Sequence, residues 1–425
     1  MFAKVRSSLI KYFFFGNSIT NDGYLRLAYL IGRFVVFLPL SLLATFVLGI
    51  YSLFRPVKIF MLRCERSKIS FIVEDLEVAL RIEAHNEKTT GVRRPLIFAV
   101  LDCESPNRAF TAMYGRVVPF FDDDRPFSRG IIRYTLPVFR IKKTYLGRRQ
   151  AENQLKIWAA SKPILTFTND EITRGELFQS QLLNYLDQAF VCIGISEPQY
   201  YEIKHEPKRY TKSERDIYSC MPSWQNYISC TQALAHESIK SVRMGQHASI
   251  NPVTISNSQI VDYASSARSE YNDVWLLKEN KFVIAGGCGV HWLASAWNKP
   301  CVLTDTYSLF NTSYGKFDLF IPQLGYSRSK KKLMKLTWMI AQGPAWAQNR
   351  SLVEGDIEII KNTPEEITEV VLEMNQRIDG TWIESDEDIE LQERFRQLRA
   401  SIPTWQVQQG VRIGAAFLRR YKHLL

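Results

Sequence analysis

Phe34 to Phe54 reads FVVFLPLSLLATFVLGIYSLF, 21 residues without a charge between Arg33 and Arg55. A run of that length and composition is long enough to cross the hydrocarbon core of a bilayer. It is too long for the apolar region of a typical signal peptide, and no clear small-residue cleavage site follows it. The alternative is a buried core helix, which seldom runs so far without a charge. Five basic residues precede the run (Lys4, Arg6, Lys11, Arg26, Arg33) and five follow it (Arg55, Lys58, Arg63, Arg66, Lys68), so the positive-inside rule ties. Pro39 permits a bent, re-entrant helix that enters and leaves on one face. Such a helix would put both basic flanks in the cytoplasm.

The remaining chain suffices for two domains of ordinary size. Seven cysteines (Cys64, Cys103, Cys192, Cys220, Cys230, Cys288, Cys301) form no C-x-x-C pair. An odd number without that spacing points to reduced thiols in the cytosol, not a disulfide framework or a zinc site. The six histidines show no metal-ligand spacing either. The net charge of +11 is spread along the chain, with clusters at Arg140–Lys143, Arg328–Lys335 and Arg419–Lys422. Those suit solvated surface, anionic lipid head groups or a phosphorylated substrate. No nucleic-acid-binding motif accompanies them.

Buried strands alternate with helices after the apolar run, the pattern of an α/β fold with parallel sheets. In the first half, 69–188, Leu96–Leu101, Val117–Phe121 and Pro163–Thr168 read as strands. A helix opens at Ser105-Pro106 and a second at Asn169-Asp170-Glu171. In the second half, 189–390, Phe190–Ile195, Ile239–Met244, Gln259–Tyr263, Lys281–Ala285 and Lys299–Asp305 read as strands in a doubly wound order. Trp224–Ala235, Val290–Trp297 and the segment after Thr363-Pro364 read as helices. The tail, 391–425, is expected to be helical and to pack back on the first half. Residues 1–33 form a cytoplasmic or interfacial segment and 34–54 the membrane helix.

The strongest chemical signal is KFVIAGGCGVHWLASAWNKPCVLTD, Lys281 to Asp305. A buried strand turns through Gly286, Gly287 and Gly289 into a helix starting at Val290. Glycines let backbone approach a ligand closely, and a helix N-terminus suits a diphosphate. His291 offers a ring donor in that first turn, and is equally readable as a structural histidine. Arg243, ahead of Gly245 at the carboxyl end of a strand, has the fork geometry that suits phosphate, or a surface salt bridge. Asp305 ends the strand that follows the glycine turn. Asp122-Asp123-Asp124 reads as an exposed turn in preference to a metal site. No nucleophile-elbow, Walker A or H-E-x-x-H motif occurs, which removes support for hydrolase, ATPase and metalloprotease readings.

These segments resemble a family of bacterial glycosyltransferases associated with surface-polysaccharide clusters, distantly similar to fucosyltransferases. The likeness rests on SVRMG (Ser241–Gly245), IVDYASSARSEYNDVWLL (Ile260–Leu277), the glycine-turn segment, DLFIPQLGY (Asp318–Tyr326) and IEIIKNTPEEITEVVLEMNQRIDGTW (Ile357–Trp382). ILTFTNDE in the first half also fits. The resemblance implies two Rossmann-like domains of the glycosyltransferase B type behind an N-terminal membrane helix. It implies a nucleotide-sugar donor held in the second half by Arg243, Gly245, Gly286, Gly287, Gly289, Val290, His291 and Asp305, with no fixed metal and no cofactor. The acceptor, lipid-linked or glycan, would belong to O-antigen or capsule assembly at the cytoplasmic face of the inner membrane. Asn107 and Glu171 are the acceptor-side candidates.

One departure is marked. Related chains tend to carry a His-x-Arg arrangement after the first strand of the second half. Here Val191–Glu197 reads VCIGISE, and Glu197 is the remaining candidate for a general base, or an ordinary loop carboxylate. A catalytically degenerate scaffold of the same fold and a nucleotide-sugar 2-epimerase are the alternative functions.

Overall fold

A computed structural model describes residues 23–62, 69, 72–101, 104–146, 157–158, 160–196, 222–245, 260–306, 309, 317–343, 355–400 and 411–425. The chain divides into two compact units. The first comprises Met1–Gln150 with Pro163–Thr166, the second Ala151–Lys162 with Phe167–Leu425.

The first unit begins with helix α1 (Gly23–Phe54), in which Pro39 is accommodated. Strand β1 (Val57–Leu62) follows at once. It is the centre of a parallel sheet with β2 (Leu96–Leu101), β3 (Phe120–Phe121) and β4 (Ile141–Tyr145), in the order β3-β2-β1-β4. The expected first half began at residue 69, twelve residues past the start of this strand. Lys58 hid it: its charge interrupts the apolar pattern, and it is neutralised by an ion pair with Glu83. A π-type turn (Ile72–Glu77) runs into α2 (Val78–Thr90), which ends at Gly91 in the left-handed region, φ +68°. Helices α3 (Arg108–Val117) and α4 (Pro126–Tyr134) complete the unit.

Its polar core is a buried carboxylate. Glu77 accepts hydrogen bonds from Arg81 Nε (2.8 Å), Tyr114 Oη (2.7 Å) and the Ile164 amide (3.3 Å). A buried charge persists only when paired and hydrogen-bonded in this way. Those bonds tie Pro163–Thr166 to the first unit, and the expected strand over 163–168 does not form.

The second unit begins with α5 (Asn169–Leu183), whose Thr168/Glu171 capping box is complete. This helix was assigned to the first half. Its packing decides otherwise: a Cβ on Gly175 would lie 2.1 Å from the Trp275 ring, and Trp275 Nε1 donates to Gln179 Oε1 at 3.1 Å. Then come β5 (Phe190–Ile195), a 3-10 turn at Trp224–Tyr227, α6 (Ile228–His236), β6 (Lys240–Met244) and β7 (Ile260–Val261). They are followed by α7 (Tyr263–Ser266), α8 (Glu270–Glu279), β8 (Val283–Gly286), α9 (Val290–Ser295), β9 (Cys301–Thr306) and β10 (Leu319–Pro322). Strands β11 (Leu324–Ser327), β12 (Lys332–Leu333) and β13 (Ile357–Ile360) make a small antiparallel sheet, and α10 (Leu336–Ala341) follows β12 in the chain. Helix α11 (Pro364–Asp379) carries a second capping box, Thr363 with Glu366, and ends at Gly380.

The tail was expected to pack on the first half. Its described partners are in the second unit. After α12 (Asp386–Ala400), strand β14 (Arg412–Ile413) pairs with β10, and α13 (Ala415–Arg420) follows. The basic cluster at Arg419–Lys422 is spent on acidic neighbours: Arg419 pairs with Asp388, Arg420 with Glu369 and Lys422 with Glu387.

The main sheet of this unit is parallel throughout, in the order β14-β10-β9-β8-β5-β6-β7. The chain winds outward from β5 through β6 to β7, then crosses back to β8 on the other side of β5. The winding direction reverses between β5 and β8.

Candidate functional site

In an open α/β sheet, ligands bind beyond the carboxyl ends of the strands where the winding reverses. Here those ends are Ile195-Ser196 and Gly286–Gly289. Ser196 closes the gap between them: its amide donates to Gly286 O (2.9 Å) and its hydroxyl to Gly287 O (2.8 Å). Cys288 Sγ donates to Gly194 O at 3.0 Å, and burial pushes its thiol up to about 12. It is a neutral structural donor, not a nucleophile.

Two glycines of the expected donor turn have different jobs. Gly287 takes φ +62°, which a side chain rarely adopts. A Cβ on Gly286 would lie 2.1 Å from Tyr227 Oη, so that position is kept small by its neighbour. Gly287 and Gly289 are exposed, with Cys288 and Val290 half-buried between and after them. The turn therefore presents backbone to the crevice. The helix it opens is only six residues long, so little of the expected dipole stands behind it.

His291 does not supply the expected cation. Its Nδ1 lies 2.9 Å from Cys288 O, a carbonyl that can only accept, which places the ring proton on Nδ1. Burial lowers its pKa to about 4, so a second proton is disfavoured.

Arg243 sits at the carboxyl end of β6 as expected, but its partner is protein. Its side chain is 1% exposed, and Nη1 donates to both carboxylate oxygens of Asp262, at 3.1 and 3.0 Å. The guanidinium stacks over the Trp224 ring, 5.3 Å from its centroid. Asp262 lies just past β7, the strand beside β6. Gly245 ends this corner, and 246–259 lie outside the described residues.

Asp305 is the centre of a polar network at the ends of β9 and β10. It takes φ +51°, and burial raises its carboxyl to about 6. Its amide donates to Asn362 Oδ1 (2.6 Å) while Oδ1 accepts from the Asn362 amide (2.9 Å). Tyr227 Oη bonds Thr304 Oγ1 (2.6 Å) and donates to Asp305 Oδ2 (3.3 Å). Asn362 in turn donates to Pro322 O, and Tyr421 donates to Glu366. Tyr227, Asn362, Trp224 and Asp262 were not singled out from the sequence. They lie up to 78 residues from the site groups they meet, and only the capping box after Asn362 left a local trace.

The acceptor-side candidates are structural. Asn107, not Ser105, caps α3 by accepting from the Phe110 amide at 2.8 Å. The Glu171 carboxylate closes the capping box of α5, accepting from the Thr168 amide at 2.8 Å. In the acidic turn Asp122–Asp124, Asp123 accepts from the Ser105 amide (2.9 Å) and pairs with Arg108 (3.4 Å). Glu197 lies outside the described residues.

No protein-family model matches the chain, and no curated protein matches it. Solved structures with some likeness include the dodecameric, iron-containing heptosyltransferase TibC of enterotoxigenic E. coli, one structure of which is in complex with ADP-D-beta-D-heptose. That match is 15% identical, covers 60% of this chain and 59% of that one, and has a TM-score of 0.30. A family 9 glycosyl transferase from Veillonella parvula is 10% identical over 69% of this chain and 92% of its own, at 0.37. The E. coli heptosyltransferase WaaC with ADP is 11% identical over 63% and 90%, at 0.29. Matches this distant decide neither fold nor activity, and they lend nothing to the fucosyltransferase-like part of the resemblance.

Proposed function

We propose that the protein is a glycosyltransferase that moves a sugar from a nucleotide donor to an acceptor held at a membrane. The observation that carries this is the reversal between β5 and β8, with a left-handed, exposed glycine turn at its mouth. A parallel sheet of this order offers nucleotides that crevice. In this reading the donor diphosphate meets the backbone N–H groups of Gly287–Val290, a concave turn suited to anions. Arg243 and His291 shape the walls, and Asp305 fixes the end of β9 beside them. The first unit, which carries α1, takes the acceptor side. Its acceptor is a lipid-linked or growing glycan of cell-surface polysaccharide, O-antigen or capsule, at the cytoplasmic face of the inner membrane. No fixed metal takes part.

One observation favours a second reading, a catalytically silent scaffold of the same fold. The two side chains expected to grip phosphate are engaged with protein, Arg243 with Asp262 and His291 with Cys288 O.

A thermal-shift screen of the full chain against ADP-, UDP-, GDP-, dTDP- and CMP-linked sugars separates the readings, with and without EDTA. Stabilisation by one nucleotide, unchanged by EDTA, supports a metal-independent transferase, since a ligand at a hundred times its Kd adds about 2.7 kcal/mol. No stabilisation by any of them overturns the transferase reading, and stabilisation lost in EDTA overturns metal independence.

A further inference from the structure

Helix α1 is built into the first unit along one side. Phe37, Ser41, Thr45, Gly49 and Ser52 are buried, at spacings of three and four residues that put them on one helix face. Each makes a definite contact. A Cβ on Gly130 would lie 2.5 Å from the Phe37 ring. Ser41 Oγ donates to Ile131 O (2.9 Å), Thr45 Oγ1 accepts from the Leu136 amide (2.9 Å), and Ser52 Oγ accepts from the Arg140 amide (3.3 Å). The Phe139 ring covers Gly49, where a Cβ would lie 3.0 Å away. Leu48 packs on the core formed by Val57, Ile59, Met61, Val100 and Ile141.

The opposite face is bare and apolar: Leu42, Leu43, Phe46, Val47, Ile50 and Leu53 are all exposed. Most of Val35–Phe54 is exposed or half-buried, although the segment carries no charge. A core helix would be covered on all sides. A helix standing alone across a bilayer would have lipid on all sides. This one has protein on one side over four turns. If it stood upright in a membrane, the irregular backbone of Thr135–Arg140 and the charges of Arg133 and Arg140 would sit at hydrocarbon depth, where neither is tolerated facing lipid.

Charge identifies what covers the bare face. From Gly23 to Lys58 there is no acidic residue, and Pro126–Leu146 holds five basic residues and no acidic one. Arg140 and Lys142 are exposed there, beside Phe139, a residue that is itself 77% exposed. An apolar face bordered by basic side chains matches one leaflet with anionic head groups.

We propose that α1 is a monotopic seat: it lies along one leaflet of an anionic bilayer, its bare face and Phe139 in the lipid, with both its ends on the same side. This deepens the membrane association proposed above and rests on it. The test uses the full chain with vesicles of phosphatidylcholine, with or without phosphatidylglycerol. Flotation with the vesicles, increased several-fold by phosphatidylglycerol, is expected. Phe139→Asn should reduce flotation several-fold while the melting temperature stays within a few degrees of the parent, because asparagine suits the left-handed backbone that Phe139 holds at φ +51° and so offsets the lost contact with Gly49. For sidedness, one protease recognition site is inserted ahead of Gly23 and another after Gly91, and protease is added outside sealed vesicles. Molecules cut at both sites without detergent support the seat. Cleavage of each molecule at one site only overturns it in favour of a spanning helix, and leaves membrane association intact. Absence of flotation overturns membrane association itself. A dimer in which the bare faces protect each other from lipid overturns the lipid as occupant.

Discussion

Asp305 and Asn362 exchange two backbone-to-side-chain hydrogen bonds, at 2.6 and 2.9 Å, across 57 residues of chain. Each side chain accepts from the other's amide. The pair locks the end of β9, held at a positive φ, to the entry of α11. A non-glycine residue in that backbone region persists only where its surroundings over-determine it.

Burial raises the Asp305 carboxyl to about 6, against an ordinary 3.8. The folded protein therefore holds this proton more tightly than the unfolded chain, and the contribution to stability is complete below about 4 and lost as pH rises through about 6. At neutral pH, ionising this carboxyl costs the fold about 3 kcal/mol more than it costs the unfolded chain. Asp305→Asn keeps an acceptor for the Asn362 amide and removes that cost. It should melt above the parent at pH 7.5, with the gap narrowing markedly by pH 4.5. An equal gap at both pH values would refute the assignment.

His291 titrates with the opposite sign. Its folded pKa, about 4, is below the ordinary 6.5. Its contribution is complete above 6.5 and lost as pH falls toward 4, about 3 kcal/mol in all. His291→Asn should flatten that acid limb in melting experiments. Because Asp305 and His291 oppose each other between pH 4 and 6, the parent profile hides both, and the single variants expose them. Nucleotide affinity should not rise on acidification from pH 7.5 to 5.5. A rise would return His291 to the role of phosphate-binding cation.

The fold class and five strands of the second unit's main sheet, β5 to β9, were legible because parallel strands buried on both faces read as apolar runs, as Phe190–Ile195 does, whereas β10 to β14 were not. The glycine turn was legible for the same reason: Gly286 and Gly287 break such a run. What failed was pairing. Nothing near Arg243 in the sequence announces Asp262, and nothing near Tyr227 announces Thr304. The spacing of apolar residues in 34–54 likewise said that the segment was apolar, not which face was covered. Ser41, Thr45 and Ser52 look like ordinary polar interruptions until Ile131, Leu136 and Arg140 are seen against them.

Arg243 and Asp262 form a pair whose rupture and repair can be told apart. Arg243→Ala removes the donor for a partly exposed carboxylate and the cation over Trp224. The loss should be about 2–3 kcal/mol, less than for a fully buried pair. Adding Asp262→Asn should recover part of it, since the stranded charge is gone. Chemical denaturation of the four proteins gives the coupling. If Arg243 instead acted on ligand alone, the second substitution would restore nothing, and only nucleotide affinity would change.

Gly286 and Tyr227 should couple through space in the wall of the crevice. A methyl group at Gly286 would meet Tyr227 Oη at 2.1 Å, with Tyr227 Cζ and Ile195 Cγ2 next at 3.0 Å. Gly286→Ala alone overpacks the site and should cost about 1–3 kcal/mol. Tyr227→Phe alone takes the hydroxyl from Thr304 and Asp305, for about 1 kcal/mol. In the double variant the worst clash has no atom to clash with. Its cost should fall short of the sum by about 1 kcal/mol, because the first loss is partly relieved by the second. Strict additivity in urea denaturation would mean that the alanine is accommodated by moving β8 and not by displacing the tyrosine. In that case a nucleotide bound at Gly287 should be lost in both variants that carry Gly286→Ala, and Tyr227→Phe should leave its affinity unchanged.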